Sequence, residues 1–323
     1  MEEPRDSLGR LVNVGIISTM FFVSLTVASS PSPHAQDQQM RDVGKEWAAK
    51  RPENDSDKST VLHPAYIIKT QIPKSLDTPN LEADPRIGVT VWRLRPSTAS
   101  DQARSVIKVG DTGRQEKWTA ERVESSALLL NGQMVRLTIE STRTGYLYII
   151  DREKYADGTF GVPYLIFPAA DLDNGTNLVR AGRLVQIPEP DSDQPYFKLA
   201  PNKRTRGTKQ EGEELLVIVA TQPLAGLQTA IDRAKLSAKT VDELIQRYTK
   251  PIEVAEMKHG AGAAETSAEQ RAASDPQRLL RSDDPFPETI YRIAASPDDP
   301  MLVTVDLKVA DARDSSAQAP SVR

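Results

Sequence analysis

The run ELLVIVAT, Glu214–Thr221, is apolar at every step from Leu215 to Ala220. A strand with one wet face alternates apolar and polar residues. An unbroken apolar run of strand length therefore predicts a central strand covered on both faces. Its neighbours in sequence are consistent with a sheet. MVRLTIES puts Val135, Leu137 and Ile139 on one face and Arg136, Thr138 and Glu140 on the other. IGVTVWRLR (Ile87–Arg95) alternates through Ile87, Val89 and Val91, then slips to Trp92 and Leu94, as a β-bulge would make it do. Gly145–Asp151, Tyr164–Phe167, Arg183–Ile187 and Tyr196–Leu199 add further short strand signals between Gly, Pro, Asn and Asp. The pattern predicts a mainly β chain: an antiparallel β-sandwich, with two short helices after the long central strand and disordered segments at its flanks.

The helices are expected within 226–250. Leu227, Ala230, Ile231 and Ala234 share one face, and Val241, Leu244, Ile245 and Tyr248 share another. Thr240 with Glu243 three residues on reads as a capping box, and Pro251 ends the helix. ETIYRIAA and MLVTVDLKV flank SPDDP as a late hairpin over 286–309, so the 81–310 domain closes only after residue 300. Residues 259–284 read as a low-complexity insert, and 311–323 as a disordered tail.

The first residues carry an address. Arg5 and Arg10 precede an apolar stretch from Leu11 to Val27, and small and polar residues follow. That order reads as a signal peptide over 1–35 and export to the periplasm or beyond. An uncleaved N-terminal anchor is the alternative. Residues 36–80 read as a flexible spacer, with a short helix around Arg41–Lys50 carrying Trp47. The chain contains no cysteine, so an exported domain here depends on a large apolar core rather than on disulfides.

The order NGQMVRLTIES, GYLYIID, PYLIFP, Asn177 with AGRLVQIP, and GEELLVIVATQPL resembles the domain of unknown function 4384 family over residues 86–225. The resemblance implies a β-rich module, often exported or attached to bacterial signalling and protease-like domains. It implies no established activity.

Histidine limits the chemistry. There are three, and His34, His63 and His259 all lie outside the expected core, so no scaffolded base is present for a Ser-His-Asp or Cys-His system. No pair has zinc-ligand spacing, and there is neither a P-loop nor a strand-linked GxGxxG. Carboxylates remain. Asp151, Glu153 and Asp157 follow an apolar strand and precede Gly158; they are the candidate calcium ligands, weighed against a polar loop between strands. Tyr146, Tyr148 and Tyr155 are the candidate stacking platform for a sugar or peptide, weighed against Tyr146 and Tyr148 lying at the core margin with their hydroxyls in water. Lys203, Arg204, Arg206 and Lys209 are followed at once by Glu211, Glu213 and Glu214, which reads as a solvated loop of mixed charge. A formal net charge of −4 gives no overall pull toward nucleic acid. No cofactor is expected, and membrane contact only through the signal or anchor. The expected role is a non-catalytic exported module binding an envelope protein or polymer; the alternatives are a carboxylate-based glycan hydrolase and a calcium-binding envelope protein.

Overall fold

A computed structural model describes residues 43, 45–47, 51, 65–70, 85–109, 114–168, 177–199, 208–228, 235–275 and 278–310. The expected signal peptide, the tail over 311–323 and most of the expected spacer lie outside the described residues.

Two sheets face each other. In the nine-stranded sheet, β2 (Arg86–Pro96) is central, with β6 (Met134–Ser141) along one edge. The other edge of β2 is shared: β14 (Thr289–Ile293) pairs with its first half and β4 (Arg114–Val123) with its second. Beyond β14 lie β13 (Ile252–Met257) and β1 (Tyr66–Thr70); beyond β4 lies β3 (Ser105–Val109). The outer edge of β6 is divided between β10 (Leu184–Ile187) and β11 (Phe197–Lys198). The six-stranded sheet runs β5 (Leu128–Leu130), β15 (Met301–Ala310), β12 (Gln210–Ala220) and β7 (Gly145–Tyr155), with β8 (Tyr164–Phe167) and β9 (Leu178–Val179) on the far edge of β7. Every pairing is antiparallel except β5 with β15. The β-sandwich expected from the strand pattern is the fold observed.

The principal core lies between the sheets. Ile87, Val89 and Val91 of β2 and Val135, Leu137 and Ile139 of β6 meet Leu147 and Ile149 of β7 and Leu215, Val217 and Val219 of β12. Leu216 and Ile218 point the other way, into a second cluster with Tyr148, Ile150 and Leu302 under α2 (Ala238–Tyr248). The central run is thus apolar at each step because both of its faces are covered, by the opposite sheet and by a helix. Of the first expected helix the described part is α1 (Ala225–Gln228), which buries Leu227; Ala230, Ile231 and Ala234 lie outside the described residues.

Four expectations change. No bulge interrupts β2: its register against β6 is continuous from Ile87–Ser141 to Leu94–Met134. Trp92 is buried because the outer face of this sheet is also covered, and its indole N–H donates to Thr138 Oγ1 at 3.0 Å. The helix cap is Ser237, whose hydroxyl accepts from the Thr240 amide at 3.0 Å, so Thr240 sits inside the first turn. β14 and β15 form no hairpin: β14 pairs with β13 and β2, β15 with β12 and β5, and the SPDDP turn carries the chain from one sheet to the other. Low complexity over 259–284 does not mean lack of packing. The stretch carries α3 (Ser267–Ser274), whose capping box joins Thr266 and Glu269, and it buries Glu265, Ala272, Ala273 and Leu280.

That segment, with residues from the expected spacer, covers the outer face of the nine-stranded sheet. Trp47 and Tyr66 are buried there with Ala255, Phe286 and Ile290. Residues 45–47 are helical, as expected for the stretch carrying Trp47. Arg51 donates to both oxygens of Glu140 and to the carbonyls of Asp284 and Pro285. Arg122 bridges Glu269 and Glu288, and Arg136 meets Glu265. These polar residues of β4 and β6 alternate with core residues, so sequence shows them as a solvent face. In the fold they are buried, and each carboxylate named here has an arginine.

Candidate functional site

The register of β7 on β12 places Glu153 opposite Glu213, and Asp151 opposite Leu215. Strand alternation then brings Asp151, Glu153 and Glu213 onto the face that points between the sheets. Here, near the end of the sandwich, carboxyls replace the aliphatic side chains that fill the interior further in. Instead of closing, the interior holds a cavity of about 360 Å³. Its walls include Val135, Leu137, Ile166, Phe197, Leu199 and Leu215, with Asp151 and Glu213 also lining it. The volume is near the lower end of small-ligand pockets, roughly 300–1,000 Å³. Val162 and Tyr164 line the cavity and are exposed, as is Phe160 beside them in sequence, so an apolar, aromatic rim stands next to the opening.

A bulge in β12 shapes the acidic end. The register steps from Tyr155–Gln210 to Lys154–Gly212, leaving Glu211 as the extra residue. In a regular strand, residues three apart face opposite ways. The extra residue returns Gln210 to the side of Glu213, and Gln210 Nε2 donates to Glu213 Oε1 at 2.6 Å. Gly212 is required at this point, because a Cβ there would sit 2.2 Å from the Leu307 carbonyl oxygen.

Asp151 and Glu213 lie close enough to share a proton. Two carboxyls can do so only when one is protonated and donates. Burial pushes Asp151 up to about 7, helped by the charge of Glu153 and opposed by the hydrogen bond with Glu213. Burial pushes Glu213 up to about 9, with the charges of Asp151 and Glu153 adding to it. The two titrate as a pair holding one shared proton near neutral pH. No other N–H or hydroxyl of the described residues reaches Asp151 Oδ1 or Glu213 Oε2, although both atoms are buried.

The sequence candidates separate. Asp151 and Glu153 come together, but Asp157 does not join them. It is exposed and caps its own turn, accepting from the Thr159 amide at 3.0 Å and hydroxyl at 2.6 Å, which hold its carboxyl below the usual range. Among the described residues no three His, Cys, Asp or Glu side chains are grouped to hold a metal ion. Glu153 accepts a hydrogen bond from the Tyr155 hydroxyl. The tyrosines form no common platform. Tyr146 and Tyr148 lie on the outer face of β7 beneath α2, and Tyr148 is buried with its hydroxyl accepting from the Leu224 amide at 3.0 Å. Tyr155 is buried on the opposite face at the acidic end. The Tyr148 hydroxyl is thus hydrogen-bonded within the protein, contrary to a wet hydroxyl at a core margin.

From sequence, Glu213 groups with Glu211 and Glu214 in a solvated loop of mixed charge. Both Glu213 and Glu214 are buried in β12. Glu214 faces outward and pairs with Arg152, Nε to Oε1 at 2.6 Å, whereas Glu213 faces inward. A signal existed: Glu213 continues the alternate positions Leu215, Val217 and Val219, which places a carboxyl on the core face of the most buried strand. The basic residues 203, 204 and 206 lie outside the described residues.

Comparison with family models, with curated proteins and with solved structures gave no match.

Proposed function

We propose that this chain is an exported binding module, of the kind its resemblance to the domain of unknown function 4384 family implies, which engages an envelope protein or polymer through the cavity at the end of the sandwich. The observation that carries the reading is the cavity itself: apolar walls, an exposed rim at Val162 and Tyr164, and two carboxyls at the floor, each with one buried oxygen, Asp151 Oδ1 and Glu213 Oε2, that receives no donor from the described residues. Pockets with mostly apolar walls and a few convergent polar groups bind by burial and select by hydrogen bonding.

Hydrolysis by the same carboxyls is the second reading. In its favour, a buried carboxyl pair sharing a proton can serve as acid and base near neutral pH. Against glycan hydrolysis, carboxyls close enough to share a proton stand nearer than the roughly 5–9.5 Å separations of the two glycoside mechanisms.

The test is capture of the whole chain from crosslinked native envelope, run beside Val162→Trp. Val162 is exposed at the rim, so the indole obstructs entry without disturbing the core. A protein or polymer retained by the parent and lost from the variant supports the reading. The same material retained equally by both overturns it.

A further inference from the structure

Five buried carboxylates elsewhere among the described residues are served by arginine. Glu140 has Arg51, Glu265 has Arg136, Glu269 and Glu288 share Arg122, and Glu214 has Arg152. Burying an ionised carboxylate costs several kcal/mol unless a cation and hydrogen bonds compensate, so this pairing is expected. Asp151 and Glu213 depart from it. Glu213 is only 9% exposed, and among the described residues no cation reaches either carboxyl. A shared proton takes the place that arginine takes elsewhere, at the floor of a cavity with room for a ligand.

We propose that the group admitted to this cavity is a cation, an ammonium or guanidinium carried on an apolar stem, with its N–H donors on Asp151 and Glu213 and its stem along Val135, Leu137, Phe197 and Leu215. The inference rests on the cavity being the binding site and adds the chemical class of what enters. The wall chemistry suits the stem, since Lys and Arg side chains and alkylamines bury methylenes behind a charged head. The other polar groups lining the cavity complete the setting. Glu153 of β7, engaged by the Tyr155 hydroxyl, contributes negative charge; Tyr164 of β8 and Lys198 of β11 are exposed; and Arg152 is engaged on the outer face by Glu214. A cation seated on the pair displaces the shared proton to solvent. Its affinity must therefore rise with pH until the pair is fully ionised, while the ammonium itself stays charged to about pH 10.

The test uses hexylammonium, its neutral isostere hexanol, and an acetylated Leu-Lys-Leu amide, each titrated calorimetrically into the full chain at about pH 6 and about pH 9. Hexylammonium is expected to bind about tenfold or more tighter than hexanol, the size of a charge-assisted hydrogen bond. Its affinity is expected to increase toward the higher pH, with protons released at the lower one. Glu213→Gln, which keeps the volume and removes the charge, is expected to bring hexylammonium to the level of hexanol and abolish the pH dependence. Tighter binding of the peptide than of hexylammonium identifies the source as a polypeptide side chain; the reverse identifies a free amine. Equal affinities for hexylammonium and hexanol, no rise with pH, or no binding of hexylammonium overturns the cation. So does an affinity gain of the same size when Lys203, Arg204 and Arg206 are replaced by alanine, which would show the chain's own cations occupying the pair. Val162→Trp separates the two readings. If hexanol binding is lost in that variant while hexylammonium shows no preference, the cavity binds but not cations. If neither probe responds to it, the cavity reading fails as well.

Discussion

Glu213 and Glu214 are adjacent in sequence, and the strand sends them into opposite environments. Glu214 meets an arginine on the outer face, whereas Glu213 meets a second carboxyl between the sheets. That difference has a consequence for stability. Asp151 and Glu213 ordinarily ionise near 3.8 and 4.5, but in the folded chain they hold protons to about 7 and about 9. Between those limits the folded state binds protons that the unfolded state has released. The pair therefore contributes its full stability below the ordinary values and loses it as pH rises through the folded ones. Glu213→Gln is expected to melt about 3–6 °C higher than the parent near pH 8 and to show a flatter profile between about pH 5 and about pH 9. Thermal unfolding followed by circular dichroism across that range checks it. A parent more stable at pH 9 than at pH 5, with the variant unchanged, would contradict the shared proton.

Helix α2 shows how a local signal is right in kind and wrong in place. Its apolar stripe packs on the outer face of the six-stranded sheet as periodicity predicts, yet the cap lies three residues before Thr240, at Ser237. TVDE satisfies the spacing of a capping box, but so does any Ser or Thr three residues before a free helix amide; the turn into the helix decides which serves. Ser237→Ala is expected to cost about 0.5–2 kcal/mol, because the Thr240 amide loses its acceptor. Thr240→Ala, which leaves that bond in place, is expected to cost less. Urea unfolding of the two variants discriminates between the caps, and a larger loss from Thr240→Ala would favour the capping box. The late strands follow the same logic. Two β patterns around a tight turn read as a hairpin, but β15 finds more apolar surface beside β12, and the turn becomes the passage between sheets.

Across the whole molecule, the outer face of the nine-stranded sheet is closed by pieces distant in sequence. Arg51 stacks over Phe286, 5.0 Å from its centroid, while its guanidinium spans Glu140 of β6 and the carbonyls of Asp284 and Pro285. One side chain thus ties the stretch before β1, the central sheet and the segment after α3. Arg51→Ala is expected to cost about 3–5 kcal/mol by leaving Glu140 buried without its cation, and Glu140→Gln in that background is expected to restore part of the loss. Chemical denaturation of the single and double variants measures both. No loss from Arg51→Ala would mean that the strap is not coupled to the sandwich.

What could be read from the residues alone follows from short-range physics. The unbroken run Leu215–Ala220, the alternation of MVRLTIES and the stripe Val241–Tyr248 each state how many faces are covered, so the sandwich and the central place of β12 are legible. Half of the site was legible in the same way, through Asp151 and Glu153 at the end of an apolar strand. The other half was not. Glu213 meets Asp151 because two strands about sixty residues apart pair in one register and a bulge at Glu211 turns Gln210 to meet it. Arg122, Arg136 and Glu140 likewise look like a solvent face, and Trp92 like the mark of a bulge, until Trp47, Arg51 and the segment around α3 cover them. Polarity in a sequence indicates the need for a partner, water or protein. Which of these meets it depends on chain that arrives from far away, and that is where the burial of a carboxyl, its proton and its pocket are decided.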